Sequence, residues 1–171
     1  MLKIFKHRKS NLPAFSLIEI MAVLLIVSLG IVGVANLAVQ SIQAQTINRG
    51  SIVSYQLAQE GIEIVRQVRD TNWMQGSNWK AGMNSGTYCV DYKSPVLRPV
   101  SGPNECALLL NKENWYYSPP FVLMTDRQTP FRRVVVINAA TSSATVTSVV
   151  TWDERDKVFR YEVETELYDW N

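Results

Sequence analysis

From Phe15 to Val39 the chain reads FSLIEIMAVLLIVSLGIVGVANLAV, an apolar run interrupted by a single charge, Glu19. As a helix rising 1.5 Å per residue it would extend roughly 37 Å, enough to cross the hydrocarbon core of a bilayer. An ionised side chain in a membrane helix costs about 2.5–3.5 kcal/mol at the centre and less near an end. An intramembrane carboxylate therefore calls for a function and a counter-charge. The rest of the chain has to be arranged around this segment.

Four cations, Lys3, Lys6, Arg8 and Lys9, precede the run, and none follows it directly. That asymmetry predicts an N-in, C-out orientation, with the downstream domain outside the cytoplasm. The 171 residues suit one ordinary domain plus an appendage, and the formal net charge is +2. A chain starting at Phe15 loses those four cations and carries −2, so the basic balance belongs to the leader and nucleic acid is an unlikely partner.

The only histidine is His7, and the two cysteines are Cys89 and Cys106. A Cys–His nucleophile, a Cys/His zinc site and a serine hydrolase needing a histidine base are all excluded downstream. No GxxxxGK[ST] or GxGxxG occurs. The expectation is a protein that is not an enzyme and holds no cofactor and no metal. Two cysteines behind an export segment read as one disulfide, Cys89–Cys106, adding roughly 3 kcal/mol in the chain-entropy model.

Three readings fit the N-terminal segment. A secretory signal would be cut after its apolar core, for which Gly33-Val34-Ala35 offers a site. A plain single-pass anchor needs only the apolar run. Neither accounts for Glu19. The third reading starts from AFSLIE at Ala14–Glu19, which resembles the prepilin cleavage-and-methylation motif of type IV pilins and type II secretion pseudopilins.

The resemblance implies that a prepilin peptidase, which also methylates, removes residues 1–14 and N-methylates Phe15. Ala14 stands where the family usually has Gly, and Glu19 becomes the fifth mature residue. It further implies a membrane lipid environment before assembly, an inner-membrane assembly platform, and other pilin subunits as partners in a helix bundle. Glu19 of one subunit would then meet the Phe15 amine of its neighbour, each buried charge supplying the other's counter-ion. The helix dipole favours a carboxylate in the first turns. The implied destination is a filament at the cell surface.

Beyond Val39 the composition turns polar without a helix breaker. Val53, Leu57, Gly61, Val65 and Val68 recur at helical spacing, flanked by Ile62 and Ile64, with Glu60, Glu63, Arg66 and Arg69 largely on other faces. Glu63 and Arg66 form an i,i+3 pair. The pattern ends at Asp70-Thr71-Asn72, which predicts one continuous helix from about Phe15 to Asp70. Gly50 and Gly61 mark small-residue contacts or a slight bend. Gly30 and Gly33 each lower helix propensity by roughly 1 kcal/mol, enough for a local bend. The stretch LAQEGIEIVRQVRDTNW also resembles a segment of minor pilins of the PilV-like kind.

From Asn72 to Pro130 the chain is rich in Gly, Pro, Asn and Ser, interrupted by a short strand at Gly86–Asp91. Three strands follow, FRRVVVINA, ATVTSVVTWDE and KVFRYEVETELYDW, the last two alternating with period two. Glu154-Arg155-Asp156-Lys157 reads as a hairpin turn. The expected fold is α+β and pilin-like, a long N-terminal helix packed on an antiparallel sheet of three to four strands. Its segments are a leader (1–14), a membrane or filament-core helix (15–39), an amphipathic continuation (40–71), and an extracytoplasmic region (72–171).

Other clusters invite blander readings. Asp153, Glu154 and Asp156 lack the ligand spacing of an EF-hand and read as a solvated tip rather than a calcium site. Trp73, Trp79, Trp115, Tyr116 and Tyr117 suit a small core or subunit contact better than a carbohydrate or DNA platform. Arg127, Arg132 and Arg133 form a modest basic cluster, of which strand alternation turns one of the adjacent pair outward. The expected function is that of a minor pilin-like structural subunit. The alternatives are a type II secretion pseudopilin and a membrane-anchored binding module that never polymerises.

Overall fold

The computed structural model describes residues 15–110, 117–118 and 127–169. One helix, α1 (Leu17–Met74), precedes seven strands: β1 (Gly86–Cys89), β2 (Arg98–Pro99), β3 (Ala107–Leu110), β4 (Tyr117–Ser118), β5 (Arg127–Ala139), β6 (Ser143–Glu154) and β7 (Lys157–Tyr168). Every strand pairing is antiparallel, so the architecture is α+β. The chain divides into two compact units, Met1–Gln45 and Thr46–Asn171.

The first turn of α1 is tied down by the Ser16 carbonyl, which accepts from the N–H groups of Glu19 at 3.0 Å and Ile20 at 3.2 Å. The helix runs through Gly30 and Gly33 without interruption and ends four residues beyond Asp70. Gly76, at φ +67°, closes the end by donating its N–H to the Trp73 carbonyl at 2.9 Å. The Asn72 amide then donates to the carbonyls of Trp79 (3.0 Å) and Ala81 (2.9 Å), folding the following loop back.

In the second unit β5 is the organising strand. Along one side it pairs with β6 from Phe131 to Ala139, and β6 pairs in turn with β7 over its whole length. The other side is shared. The N-terminal half of β5 takes β3, and Val135–Ile137 takes β1, with β4 and β2 outside them. Cys89 ends β1 and Cys106 immediately precedes β3, so the disulfide between them links the two short strands. It closes a loop of sequence separation 17, worth roughly 3 kcal/mol.

The sheet has more strands than the three to four the sequence suggests. The extra pieces, β2, β3 and β4, are two to four residues long. Segments that short show no period, and the continuous apolar run of β3 could equally belong to a helix. β5 also starts earlier than expected, across Pro130. Proline cannot donate to the ladder, and here Thr129-Pro130-Phe131 bulge opposite Leu108. The Thr129 hydroxyl takes the missing donor's place, donating to the Leu108 carbonyl at 2.6 Å.

Helix and sheet meet through two apolar clusters. Ile62, Ile64 and Val65 pack with Val135, Ile137, Val146 and Leu167. Leu57 and Ala58 pack with Leu108, Phe131, Val150 and Trp152. On the opposite face of the sheet the cystine covers Val134 and Val149, so β5 is covered on both sides.

Candidate functional site

The first candidate is the start of α1. From Phe15 to Ile42 every side chain is exposed, and the helix contains an 18-residue window of mean hydropathy 2.7 with none of it buried. It is long and apolar enough to cross a membrane. Glu19 lies in its first turn, where the unsatisfied N–H groups and the dipole favour an anion. Phe15, two residues before the helix, is 77% exposed, while Ala14 and the leader lie outside the described residues.

The segment also carries a local signal beside its apolar run. Ser16 stands directly before the helix and Glu19 three residues on, the S-x-x-E spacing of a capping box. A glutamate at that spacing suits a local structural use, accepting from an N–H at the helix start, as well as any intermolecular one. Glutamine serves the local use equally well, and that separates the two.

The second candidate is a polar seam between the two apolar clusters. Gly61 brings α1 against the sheet so closely that a Cβ there would collide with the Ser148 hydroxyl and lie 3.3 Å from the Arg133 Cδ. Beneath it Arg133 is buried. Its guanidinium donates to the carbonyls of Leu57 and Val90, each at 3.1 Å, and pairs with Glu60 at 3.1 Å. Burial pulls Arg133 below the ordinary arginine value, opposed by the charge and hydrogen bond of Glu60 and by the charge of Asp91. The hydroxyl of Ser148 is buried here with no hydrogen-bond partner, as is that of Ser54 on the helix before Leu57.

The remaining sequence candidates fall into place around this core. Arg132 and Arg133 point to opposite faces, and the outward Arg132 pairs with Asp153 at 2.6 Å. Only Arg132 of the two is on the surface, so the pair makes no basic patch. Asp153 is thereby neutralised, and among the described residues no group of three or more His, Cys, Asp or Glu is placed to hold a metal ion. Trp79 is buried in the core with Met83 and Tyr88. Trp115 and Tyr116 lie outside the described residues.

Glu63 and Arg66 form the expected ion pair on the exposed face. Arg69, expected on an outer face, is buried instead: its Nε meets Asp70 at 2.8 Å and its guanidinium lies 4.7 Å from the centre of the Trp73 ring. At the far end of β7, hydrogen bonds from Tyr168 and Ser143 hold the Glu166 carboxyl below the usual carboxylate range. The same contact with Glu166 raises the Tyr168 hydroxyl. Two open hollows beside Lys80 offer no unclaimed chemistry, since the Lys80 ammonium already caps the carbonyls of Ala140 and Thr141 at 2.6 and 2.9 Å.

The fold defines an α+β protein with one exposed, membrane-length helix and a disulfide-linked sheet domain. No family model, curated protein or solved structure matches the chain.

Proposed function

We propose that the protein is a minor pilin-like subunit of a type IV filament, cut between Ala14 and Phe15, methylated on Phe15, and assembled through the apolar half of α1. The carrying observation is the placement of Glu19: a carboxylate in the first turn of a helix whose next residues are apolar on every side and wholly uncovered. Such a surface has to be covered by lipid or by other helices. An acid at its end is tolerable there only with a counter-ion, and the amine freed at Phe15 on a neighbouring copy supplies one. The sheet domain, with its disulfide, would face outward, where thiols oxidise. In this reading the protein is a structural element and a substrate of the processing enzyme, and it performs no chemistry of its own.

Two measurements test it. Mass spectrometry of the protein from its native membrane should find a chain beginning at N-methylated Phe15; an intact Met1 or a start at Asn36 overturns the proposal. Glu19→Gln keeps the capping-box geometry and removes the charge. It should insert normally and reduce filament incorporation by at least roughly tenfold, because an unpaired buried charge costs several kcal/mol. Undiminished incorporation would mean that Glu19 is only a helix cap.

A further inference from the structure

Among the described residues β7 pairs with β6 on one side and with nothing on the other, while the opposite limits of the sheet are two-residue strands. Among the described residues β7 is therefore a twelve-residue open edge. Its hydrogen-bonding state follows from the turn. Arg155 and Asp156 form a two-residue connection between the paired residues Glu154 and Lys157, which makes those two a hydrogen-bonded pair. Alternation along the ladder then commits the backbone groups of Phe159, Tyr161, Val163, Thr165 and Leu167 to β6. The N–H and C=O groups of Val158, Arg160, Glu162, Glu164 and Glu166 point away from the sheet.

The two sides of this edge differ in chemistry. Toward α1 lie Phe159, Tyr161 and Val163, each only partly buried; Tyr161 meets Tyr55 edge-on at 5.8 Å, and Tyr55 is itself 50% exposed. Away from α1 lie Glu162, Glu164 and Glu166, all exposed. Arg160 pairs with Glu162, which leaves an excess of two negative charges along the row. A second copy of β7 is a poor occupant. The antiparallel registers that pair most of the strand set Glu162 against itself or against Glu164. Although Arg160 then faces Glu164 or Glu166, the two rows together bring an excess of four negative charges to one seam, which a cationic strand would neutralise instead.

We propose that the β7 edge accepts an extended segment of a different protein, in which cations alternate with apolar residues, as an eighth strand. The backbone groups of Glu162 and Glu164 would pair with it, its cations would lie beside the carboxylates, and its apolar side chains would cover Phe159, Tyr161 and Val163.

The test uses the full chain in a zwitterionic detergent and a labelled twelve-residue peptide alternating lysine with valine and threonine. A peptide with glutamate in place of lysine is the control, and binding to empty micelles is subtracted. The lysine peptide should bind at least roughly tenfold more tightly than the glutamate peptide. It should also slow amide exchange at Glu162 and Glu164. The charge-reversed variant E162K/E164K/E166K should invert the preference. Glu164→Pro removes an outward donor without taking a β6–β7 bond, and should abolish binding while β-sheet circular dichroism is retained. Should that variant misfold, the charge-reversed one still decides. Equal binding of both peptides, protection outside β7, or protection of the same amides by self-association of the chain would each overturn the proposal.

Discussion

Arg133 binds the carbonyl of Leu57, seventy-six positions away in the chain, and of Val90, forty-three away. A cation with its side chain fully buried needs such partners, because desolvation of an unpaired charge exceeds what packing returns. Glu60 is unequal to it, with 30% of its side chain still in solvent. The two members of the pair should therefore respond differently to removal. Glu60→Ala leaves a buried cation short of its counter-ion and should cost about 3–5 kcal/mol. Arg133→Met fills the same slot with an apolar chain while Glu60 turns outward, and should cost less. Urea unfolding followed by tryptophan fluorescence would measure both; a larger loss for Arg133→Met would show that the interface depends on the two carbonyl contacts rather than on the pair. The sequence announces that Arg132 and Arg133 face opposite ways but not which is inside. Val134 and Val135 are both buried, because the cystine covers one side of β5 and α1 the other, so hydrophobicity does not mark the inner face.

At the level of elements, legibility follows length. β6 and β7 are long enough to show their alternation, and their turn is readable from its charged, polar residues. Arg155 (φ 50°) and Asp156 (φ 61°) both occupy the left-handed region that such a two-residue turn requires. Neither is the residue best suited to it. Asp156→Gly should raise stability by about 0.5–1 kcal/mol, seen as a higher thermal midpoint, since glycine adopts that conformation without strain. An unchanged or lower midpoint would mean that the side chain of Asp156 contributes more than its backbone strain costs. β2, β3 and β4 were not legible, because their existence depends on β5 offering a free side rather than on any pattern of their own. Arg69 was missed although its spacing held the clue: it stands four residues after Val65 and eight after Gly61, on the buried face, and its charge masked a long side chain that packs there against Trp73.

For the whole molecule, the division at Gln45 and Thr46 separates two kinds of surface. The residues from Phe15 to Ile42 are exposed and largely apolar, whereas the clusters that hold the sheet together all lie after Thr46. A fragment beginning at Thr46 should therefore stay dissolved without detergent and keep the Cys89–Cys106 bond, while the full chain should precipitate without detergent. Thr46 is itself able to cap the shortened helix. Analytical ultracentrifugation and mass measurement under non-reducing conditions would decide; a fragment that aggregates or loses the bond would mean that the sheet domain needs the apolar helix to fold. The membrane-length helix and the disulfide were legible from sequence, the first from composition and the second from the compartment that the helix implies. The polar seam was not, since it joins residues brought together only by the sheet.

The shared side of β5 carries a consequence for the order of events during synthesis. The connections from β5 to β6 and from β6 to β7 are a few residues long, so these three strands close on themselves quickly once they emerge. Both cysteines leave the ribosome earlier, yet the strand that aligns them, β5, comes later. If β5 serves as the template for oxidation, the thiols should remain open to alkylation in chains whose β6 amides are already protected from exchange. Thiols that close before β6 gains protection would show that the cystine forms first and that the meander condenses onto it.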